Sequence, residues 1–339
     1  MTRKLATIAV LILLFACKGE HPAAPAAPKP LTKVKIAINP TFAYAPFMIA
    51  KDEGFFAEEG IDAEFIRLDS NSALVALTTG GLDVMSSPIR SGLFNIMQRG
   101  APVRIVGDKG QLIPRDCVIE AFAAPKPIVD RIKARGGSVR GEKFALIRGG
   151  FTEFMIDTFL AQQKVTRKDI EFVQVPPGDA VASAKRQIDA IRYVQEPNLS
   201  NGIANGMYEI LASAESVSPG QQHGVVLYGK RLLYDDPELG QRVMRAYLRG
   251  IRRYNEGKTK RNVEISVRET KMPVEIIERS CWLPIANDGR IEMKSMNALL
   301  DWSMAQGYLD AKVPLEKWWD PRFIDAANQS LGAPAPAAQ

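Results

Sequence analysis

Apolar positions fall along the chain in short runs of two alternating kinds. Val34 to Ile38 (VKIAI) is a β-branched run stopped by Asn39-Pro40, the pattern of a buried strand ended by turn chemistry. Phe47 to Phe56 repeats at helical spacing with Gly54 near its end, and Ala63 to Leu68 alternates as a second strand. Asp69, Ser70 and Asn71 are capping-type residues, and they open a predicted helix over Ser72 to Thr79. Leu82 to Met85 and Val103 to Val106 predict two more strands on either side of a helix over Ser91 to Arg99. Strands alternating with helices at this spacing predict βαβ units and a mostly parallel sheet.

After a helix predicted over Ile128 to Ala134 the same pattern restarts. Strands are expected at Phe144 to Ile147, Ile170 to Val175 and Ile188 to Tyr193, with helices over Thr152 to Gln163 and Ala180 to Arg186 between them. One further strand, Gly224 to Tyr228, precedes a helix over Pro237 to Asn255, and only helical patterns follow as far as Ala327. A chain that builds one sheet, crosses to a second and returns predicts two doubly wound α/β lobes around a cleft. The first lobe is 31–121 with 223–325, and the second is 122–222.

Composition narrows the chemistry. The 339 residues are 46% hydrophobic and 24% charged, which excludes wholesale disorder and fibrous architectures. Of the two histidines, His21 lies in a Pro/Ala-rich stretch, which leaves His223. That weighs against a His-rich metal centre, although a triad needs one histidine and stays open. The net charge of +6 comes from scattered basic residues, so nucleic-acid binding gains no support. Cys117 and Cys281 are either a bridge or two buried thiols; at such separation, thiols are the expectation.

The ends carry a different signal. Arg3 and Lys4 precede an apolar run from Leu5 to Ala16, the charged and apolar regions of a secretory signal over 1–16, too short to span a bilayer. Leu14-Phe15-Ala16-Cys17 resembles the lipobox of bacterial lipoproteins, which implies that Cys17 becomes a lipidated N-terminus. Residues 17–32, rich in Pro and Ala, then read as an extended tether, and 328–339 as a disordered tail. The expected location is the periplasmic or cell-surface side of a bacterial membrane, with membrane contact through the lipid alone.

A larger resemblance rests on the order of several segments: Lys51 to Asp62 (KDEGFFAEEGID), Leu77 to Val84 (LTTGGLDV), Ser138 to Ala145 (SVRGEKFA), Gly149 to Thr152 (GGFT), Val175 to Ala180 (VPPGDA), Ile188-Asp189-Ala190, Gln195-Glu196-Pro197, and the ending Gln306 to Leu309 with Phe323 to Ala327. In this order they resemble the periplasmic solute-binding proteins of the nitrate/sulfonate/taurine ABC importers, a family that also holds binders of thiamine-pyrimidine precursors. Gln195 departs from it, since an aromatic commonly precedes Glu-Pro there, and Tyr193 stands two residues earlier. The resemblance implies the type II periplasmic binding protein fold, a small-molecule ligand, no chemistry and no cofactor. It also implies a monomer that delivers its ligand to an ABC permease with its ATPase. Two alternatives stay open: a ligand sensor or scaffold without transport, and an enzyme related to the fungal thiamine-pyrimidine synthases, whose cysteine-rich iron-binding segment has no counterpart here.

In open α/β sheets ligands bind beyond the carboxyl ends of strands, and there the chain places Phe42, Tyr44, Asn71, Ser86 and Ser87 in the first lobe. The second lobe offers Gly149, Gly150, Phe151, Thr152, Tyr193 and Glu196. Phe42 and Tyr44 would wall a pocket, while Ser86 and Ser87 would donate to a ligand, cap the helix at Ser91, or both. Gly149 to Thr152 opens a helix directly after a strand, a nest of free N–H groups suited to an anionic head group. Glu196 would accept from an amine, so the set favours an aminated or heteroaromatic compound over nitrate. Arg90 and Arg148 read as solvated, Glu153 as a helix-dipole partner, and His223 as a hinge or surface residue.

Overall fold

The computed structural model describes residues 30–39, 41–146, 148–174 and 189–332. The signal, Cys17, the tether up to residue 29, the helix expected at 180–186, the Val175 to Ala180 segment and residues 333–339 lie outside the described residues. Within them no helix is long and apolar enough to cross a membrane.

Ten strands are described: β1 Thr32–Ile38, β2 Ile61–Arg67, β3 Val84–Pro88, β4 Arg104–Asp108, β5 Glu120–Ala124, β6 Lys143–Leu146, β7 Glu171–Gln174, β8 Arg192–Gln195, β9 Glu209–Ser213 and β10 Gly224–Tyr228. The first sheet runs β2-β1-β3-β10-β4. β1 lies parallel to β2 and β3, and β10 lies antiparallel to β3 and β4. In the second lobe β8-β5-β9 are antiparallel and β6-β7 parallel. A parallel bridge from Phe144 to Ile191, just before β8, joins the two pieces. The order β7-β6-β8-β5-β9 therefore repeats that of the first sheet, with β5 in the place of β10. Each lobe thus carries one antiparallel strand in an otherwise parallel framework, where the sequence predicts a mostly parallel sheet.

That strand is the one entered directly after each crossing. β5 begins at Glu120, two residues inside the first lobe as read from sequence. Neither β5 (EAFAA) nor β9 (EILAS) is legible as a strand, since both are short and Ala-containing, without a long apolar alternation. Elsewhere the expected elements form with shifted ends. Gly54 sits at φ 78°, a left-handed position open to glycine, and it divides the helix expected over Phe47 to Phe56 into Ala45–Asp52 and Phe55–Glu58. Thr32, assigned to the tether, already pairs with Ile61 in β1. The final helix, Arg322–Leu331, continues four residues into the segment read as a tail.

The helix Pro237–Tyr254, opened by the Asp236 side chain on Leu239 N, buries Leu239, Val243, Tyr247 and Ile251 against the first lobe. Behind it, the buried Asp108 carboxylate at the end of β4 accepts from Gly110 N at 2.6 Å, Gln222 Nε2 at 2.6 Å, Ala286 N at 2.7 Å and Gln111 Nε2 at 3.3 Å. Those donors belong to the outgoing crossing, the returning crossing and the C-terminal layer. One carboxylate holds all three together.

The two cysteines correct their expectation: Cys117 and Cys281 form a disulfide, S–S 1.99 Å, rather than two thiols. Their Cα atoms lie 5.6 Å apart, inside the range a bridge requires, although 164 residues separate them in sequence. The bond ties the outgoing crossing to the C-terminal layer.

Two measurements test these ties. Asp108→Ala strands Gly110 N and Ala286 N and removes one acceptor each from Gln111 and Gln222, and it lowers the unfolding free energy by about 3 kcal/mol or more, seen as a lower denaturant midpoint at unchanged slope. Cys117→Ser with Cys281→Ser reopens the long loop and costs about 2–5 kcal/mol, a fall of several degrees in melting temperature.

Candidate functional site

The ends of the two sheets that face each other hold the expected residues and several others. An antiparallel strand places its amino end beside the carboxyl ends of its parallel neighbours: Glu120 at the start of β5 pairs with Gln195 at the end of β8, and Gly224 at the start of β10 with Pro88 at the end of β3. Glu120 and His223 are thereby brought to the cleft from the strand starts.

From the first lobe, Tyr44 is buried and its hydroxyl donates to Ser86 O at 2.9 Å while accepting from Asn39 Nδ2 at 3.3 Å. Burial pushes its pKa up. Lys109, the residue after β4, is 2% exposed, with its ammonium 4.5 Å from the centroid of the Tyr44 ring. Burial pulls this amine down to about 7. Ser86 Oγ is buried and has no hydrogen-bond partner among the described residues. Ser87 Oγ donates to Pro88 O at 2.8 Å. Neither serine caps the helix Ser91–Gln98, whose N-cap is Arg90 without a side-chain bond.

From the second lobe, the Tyr193 hydroxyl donates to Glu120 Oε2, and burial with the neighbouring Glu120 charge raises its pKa well above the phenol range. The other oxygen, Glu120 Oε1, lies 3.1 Å from His223 Nδ1, although that nitrogen is not aligned for a hydrogen bond to it and has no other partner. His223 Nε2 lies 3.4 Å from Gln195 Nε2, and the ring packs edge-on to Phe151 at 5.2 Å. His223 is fully buried, so the surface reading fails and the crossing position stands. Thr41, Phe42, Ile119, Glu120, Gln195, Glu196 and Leu283 line a cavity of about 10 Å³, room for one water.

Several expected contacts are committed elsewhere. Two N–H groups of the nest at Gly149 to Thr152 already have partners: Gly149 N donates to Glu153 Oε2 at 2.7 Å, and Phe151 N donates across to Ile89 O at 3.0 Å. Gly150 pairs with Arg90 across the lobes, and Gly149 O accepts from Ser91 N at 2.9 Å. The Glu153 carboxylate, on the third residue of the helix Phe151–Gln162, takes one of the N–H groups an anion would need. Glu153, read as a dipole partner, also takes Arg167 Nη1 at 2.9 Å and the Tyr308 hydroxyl at 2.9 Å. Thr152 is half-buried at the same helix start. Glu196 accepts from Ser200 N at 2.9 Å and Ser200 Oγ at 2.6 Å, with Cys281 N at 3.4 Å. Its carboxylate braces its own turn rather than an amine, and burial raises its pKa against those bonds. Phe42 packs on Trp282 at 5.1 Å between ring centroids. Asn71 is exposed and accepts from Arg90 Nη1 at 2.9 Å. Arg148 is exposed, as expected, whereas Arg90 is half-buried and desolvation lowers its pKa.

Lys109 and Glu120 were absent from the sequence-based set. The carboxyl-end rule reaches Lys109 once β4 is known to run to Asp108, two residues beyond the expected end at Val106, but Glu120 needs the antiparallel strand to be known.

Residues 41–256 match the family model described as NMT1/THI5 like. The chain belongs to the NMT1/THI5-like family. The matched span contains Tyr44, Ser86, Lys109, Glu120, Tyr193 and His223. Among relatives, YtlA of Bacillus subtilis (strain 168) is 25% identical over 206 residues, 60% of this chain, and the match spans only about half, 52%, of that protein. The riboflavin-binding protein RibY of Chloroflexus aurantiacus is 28% identical over 270 residues, 72% of this chain and 71% of its own. The periplasmic nitrate-binding protein NrtA of Synechocystis PCC 6803 superposes with a TM-score of 0.71 at 17% identity, covering 89% of each chain. This NMT1/THI5-like chain therefore has the periplasmic binding protein fold, as the sequence resemblance implies.

The buried amine yields a test. Its native pKa of about 7 lies below the ordinary value of 10.5, so the unfolded chain holds the proton more tightly between those values. The stability it contributes is full above about pH 10.5, is lost as pH falls toward 7, and stays lost below. Lys109→Met is thus expected to raise the melting temperature, by several degrees at pH 6.5 and by little at pH 10. A gap independent of pH would show that the amine is not desolvated.

Proposed function

We propose that this protein is an extracytoplasmic solute-binding protein, which captures a small organic molecule between its lobes and delivers it to an ABC importer. The observation that carries this reading is the set of buried polar groups gathered from both sheets at one place. Two of its atoms, Ser86 Oγ and His223 Nδ1, are desolvated and have no hydrogen-bond partner among the described residues. Unpartnered polar atoms in an interior cost about 1–3 kcal/mol each, and a bound ligand offsets that cost.

Entry requires the lobes to part, because the cavity now holds no more than a water. They meet through Trp302 Nε1 donating to Asp157 Oδ2 at 2.7 Å and through the Tyr308 hydroxyl on Glu153. In this reading those contacts belong to the closed form that a permease recognises. A ligand drives closure only by binding that form better, so it contacts both lobes. Tyr44 and Ser86 serve from one side, Tyr193 and Gln195 from the other, with His223 between them. The riboflavin-binding relative favours a heteroaromatic ligand. Cys17 carries the lipid, the protein acts as a monomer, and no chemistry is performed on the ligand.

Native mass spectrometry of the purified full chain for a co-purified ligand, followed by thermal shift against heteroaromatics, sulfonates, nitrate and amino acids, tests the proposal. A ligand at 100 times its Kd adds about 2.7 kcal/mol. Ser86→Val with Tyr193→Phe is expected to reduce that shift while leaving the ligand-free protein folded. Turnover of the bound compound would make it an enzyme, and no bound ligand and no shift from any class would point to a scaffold.

A further inference from the structure

The outgoing crossing is anchored at both ends, and the interval between the anchors is bare. Gln111 N donates to Pro284 O and Leu112 N to Gln221 O, each at 2.8 Å, and Leu112 O accepts from Gly220 N at 2.8 Å, so the crossing is fixed to the C-terminal layer and the returning crossing as far as Leu112. At the other end Ile119 N donates to Glu215 Oε1 at 3.1 Å, which fixes it to the second lobe. Residues 113–118 make no hydrogen bond among the described residues, and Ile113 to Cys117 are exposed.

The disulfide falls inside that bare interval. With Cys117 bonded to Cys281, anchoring to the C-terminal layer extends to Cys117, and Val118 alone stands between it and Ile119. Without the bond the unanchored stretch is the whole of 113–118. The returning crossing has a short pivot to match: Val217 O accepts from Gln162 Nε2 at 2.9 Å in the second lobe, Gly220 N is already on Leu112 O, and Ser218 and Pro219 lie between them. Two short pivots side by side confine the lobes to one relative motion. A longer unanchored crossing admits more open arrangements, so closing the lobes then costs more entropy.

The bond is also open to reagents. Cys117 is exposed while Cys281 is 2% exposed, and both line a surface pocket of about 190 Å³ with Val118, Ile203, Ile210 and Arg279. Arg279 is exposed and has no ion pair among the described residues. A guanidinium in that pocket attracts an incoming thiolate and favours a departing one.

We infer that the Cys117–Cys281 disulfide is a redox-sensitive clamp on the hinge, which a dithiol opens in the folded protein. One thiolate of the dithiol attacks Cys117 Sγ; the S–S bond breaks, its electron pair leaves with Cys281 as a thiolate that takes up a proton, and a mixed disulfide forms on Cys117. The second thiol of the reductant, losing its proton, attacks its own sulfur in that mixed disulfide and releases Cys117 as the second thiol. Both cysteines are then reduced and the dithiol is oxidised to a disulfide. Reduction lengthens the hinge and lowers the population of the closed form. The use of that motion in capture rests on the binding reading above, whereas the clamp itself is tested without a ligand.

The test compares the full chain with and without dithiothreitol under native conditions, with free thiols counted by alkylation and mass spectrometry and folding checked by thermal unfolding. Both cysteines are expected to become alkylated well below the melting temperature. Trypsin cleavage after Arg115 is expected to become at least about 10-fold faster on reduction, with cleavage elsewhere unchanged, because the segment is then free to enter the protease. Small-angle X-ray scattering of the ligand-free chain is expected to show a larger radius of gyration in the reduced form. Cys117→Ser with Cys281→Ser is expected to reproduce the reduced behaviour without reductant. Reduction that proceeds only as fast as global unfolding, or cleavage after Arg115 and scattering that are the same in both forms, overturns the clamp and leaves the binding reading in place. The binding reading falls separately, on the absence of any ligand by native mass spectrometry and thermal shift.

Discussion

Everything around the cleft depends on a carboxylate that never reaches water. Asp108 ends β4, and its two oxygens collect donors from both inter-lobe crossings and from the C-terminal layer. Desolvation opposes the charge and pushes the Asp108 pKa up to about 6, while the four donors pull the other way, so at neutral pH the group is ionised and saturated. Exchanging this anion for an apolar residue would strand Gly110 N and Ala286 N. The consequence is positional: Lys109 and Gly110 leave β4 in one direction only, and Gln222 delivers His223 to the start of β10. The Tyr247 hydroxyl on Asp108 O adds the long helix to the same node.

With the crossings fixed, the rest of the site follows from strand polarity. A purely parallel sheet shows a ligand only carboxyl ends, so its contacts come from the loops that leave the strands. Here one antiparallel strand in each lobe brings an amino end to the same edge, and with it Glu120 and His223. That is why the cleft holds an acid and a histidine that the carboxyl-end rule does not reach. Glu120 there accepts from the Tyr193 hydroxyl, its other oxygen lies 3.1 Å from His223 Nδ1, and its charge also acts on Lys109.

The framework was readable from the residues because period and turn chemistry are local. β1 to β4, the capping of Ser70–Thr78 by Asp69 and the long helix after Asp236 all obey rules that act within a few positions. Tyr44 and Ser86 stand beside the cleft for the same reason, as loop and strand-end residues of that framework. What escaped depends on partners distant in sequence. β5 has no period to read, and it is a strand because Arg192–Gln195 and Glu209–Ser213 flank it. The disulfide joins residues 164 apart. At the Gly149 nest one N–H is already taken by Glu153, a local residue whose carboxylate turns back on the helix start as well as serving as its dipole partner.

Stability and function pull apart within this small volume. Glu153, Asp157 and Arg167 on one lobe meet Trp302 and Tyr308 on the other through complete hydrogen bonds, an arrangement that holds the lobes together. A few residues inward, Ser86 Oγ and His223 Nδ1 are buried without a hydrogen-bond partner among the described residues. A core selected for stability alone would replace them with aliphatic side chains, because a desolvated polar atom without a partner costs free energy. Under the proposed binding function, satisfied contacts at the rim and unsatisfied ones inside act in opposite directions: the rim favours closure, while the interior opposes it until a ligand supplies what is missing. The difference between those two contributions is what a binding protein needs, since a cleft satisfied both outside and inside would stay shut and select nothing.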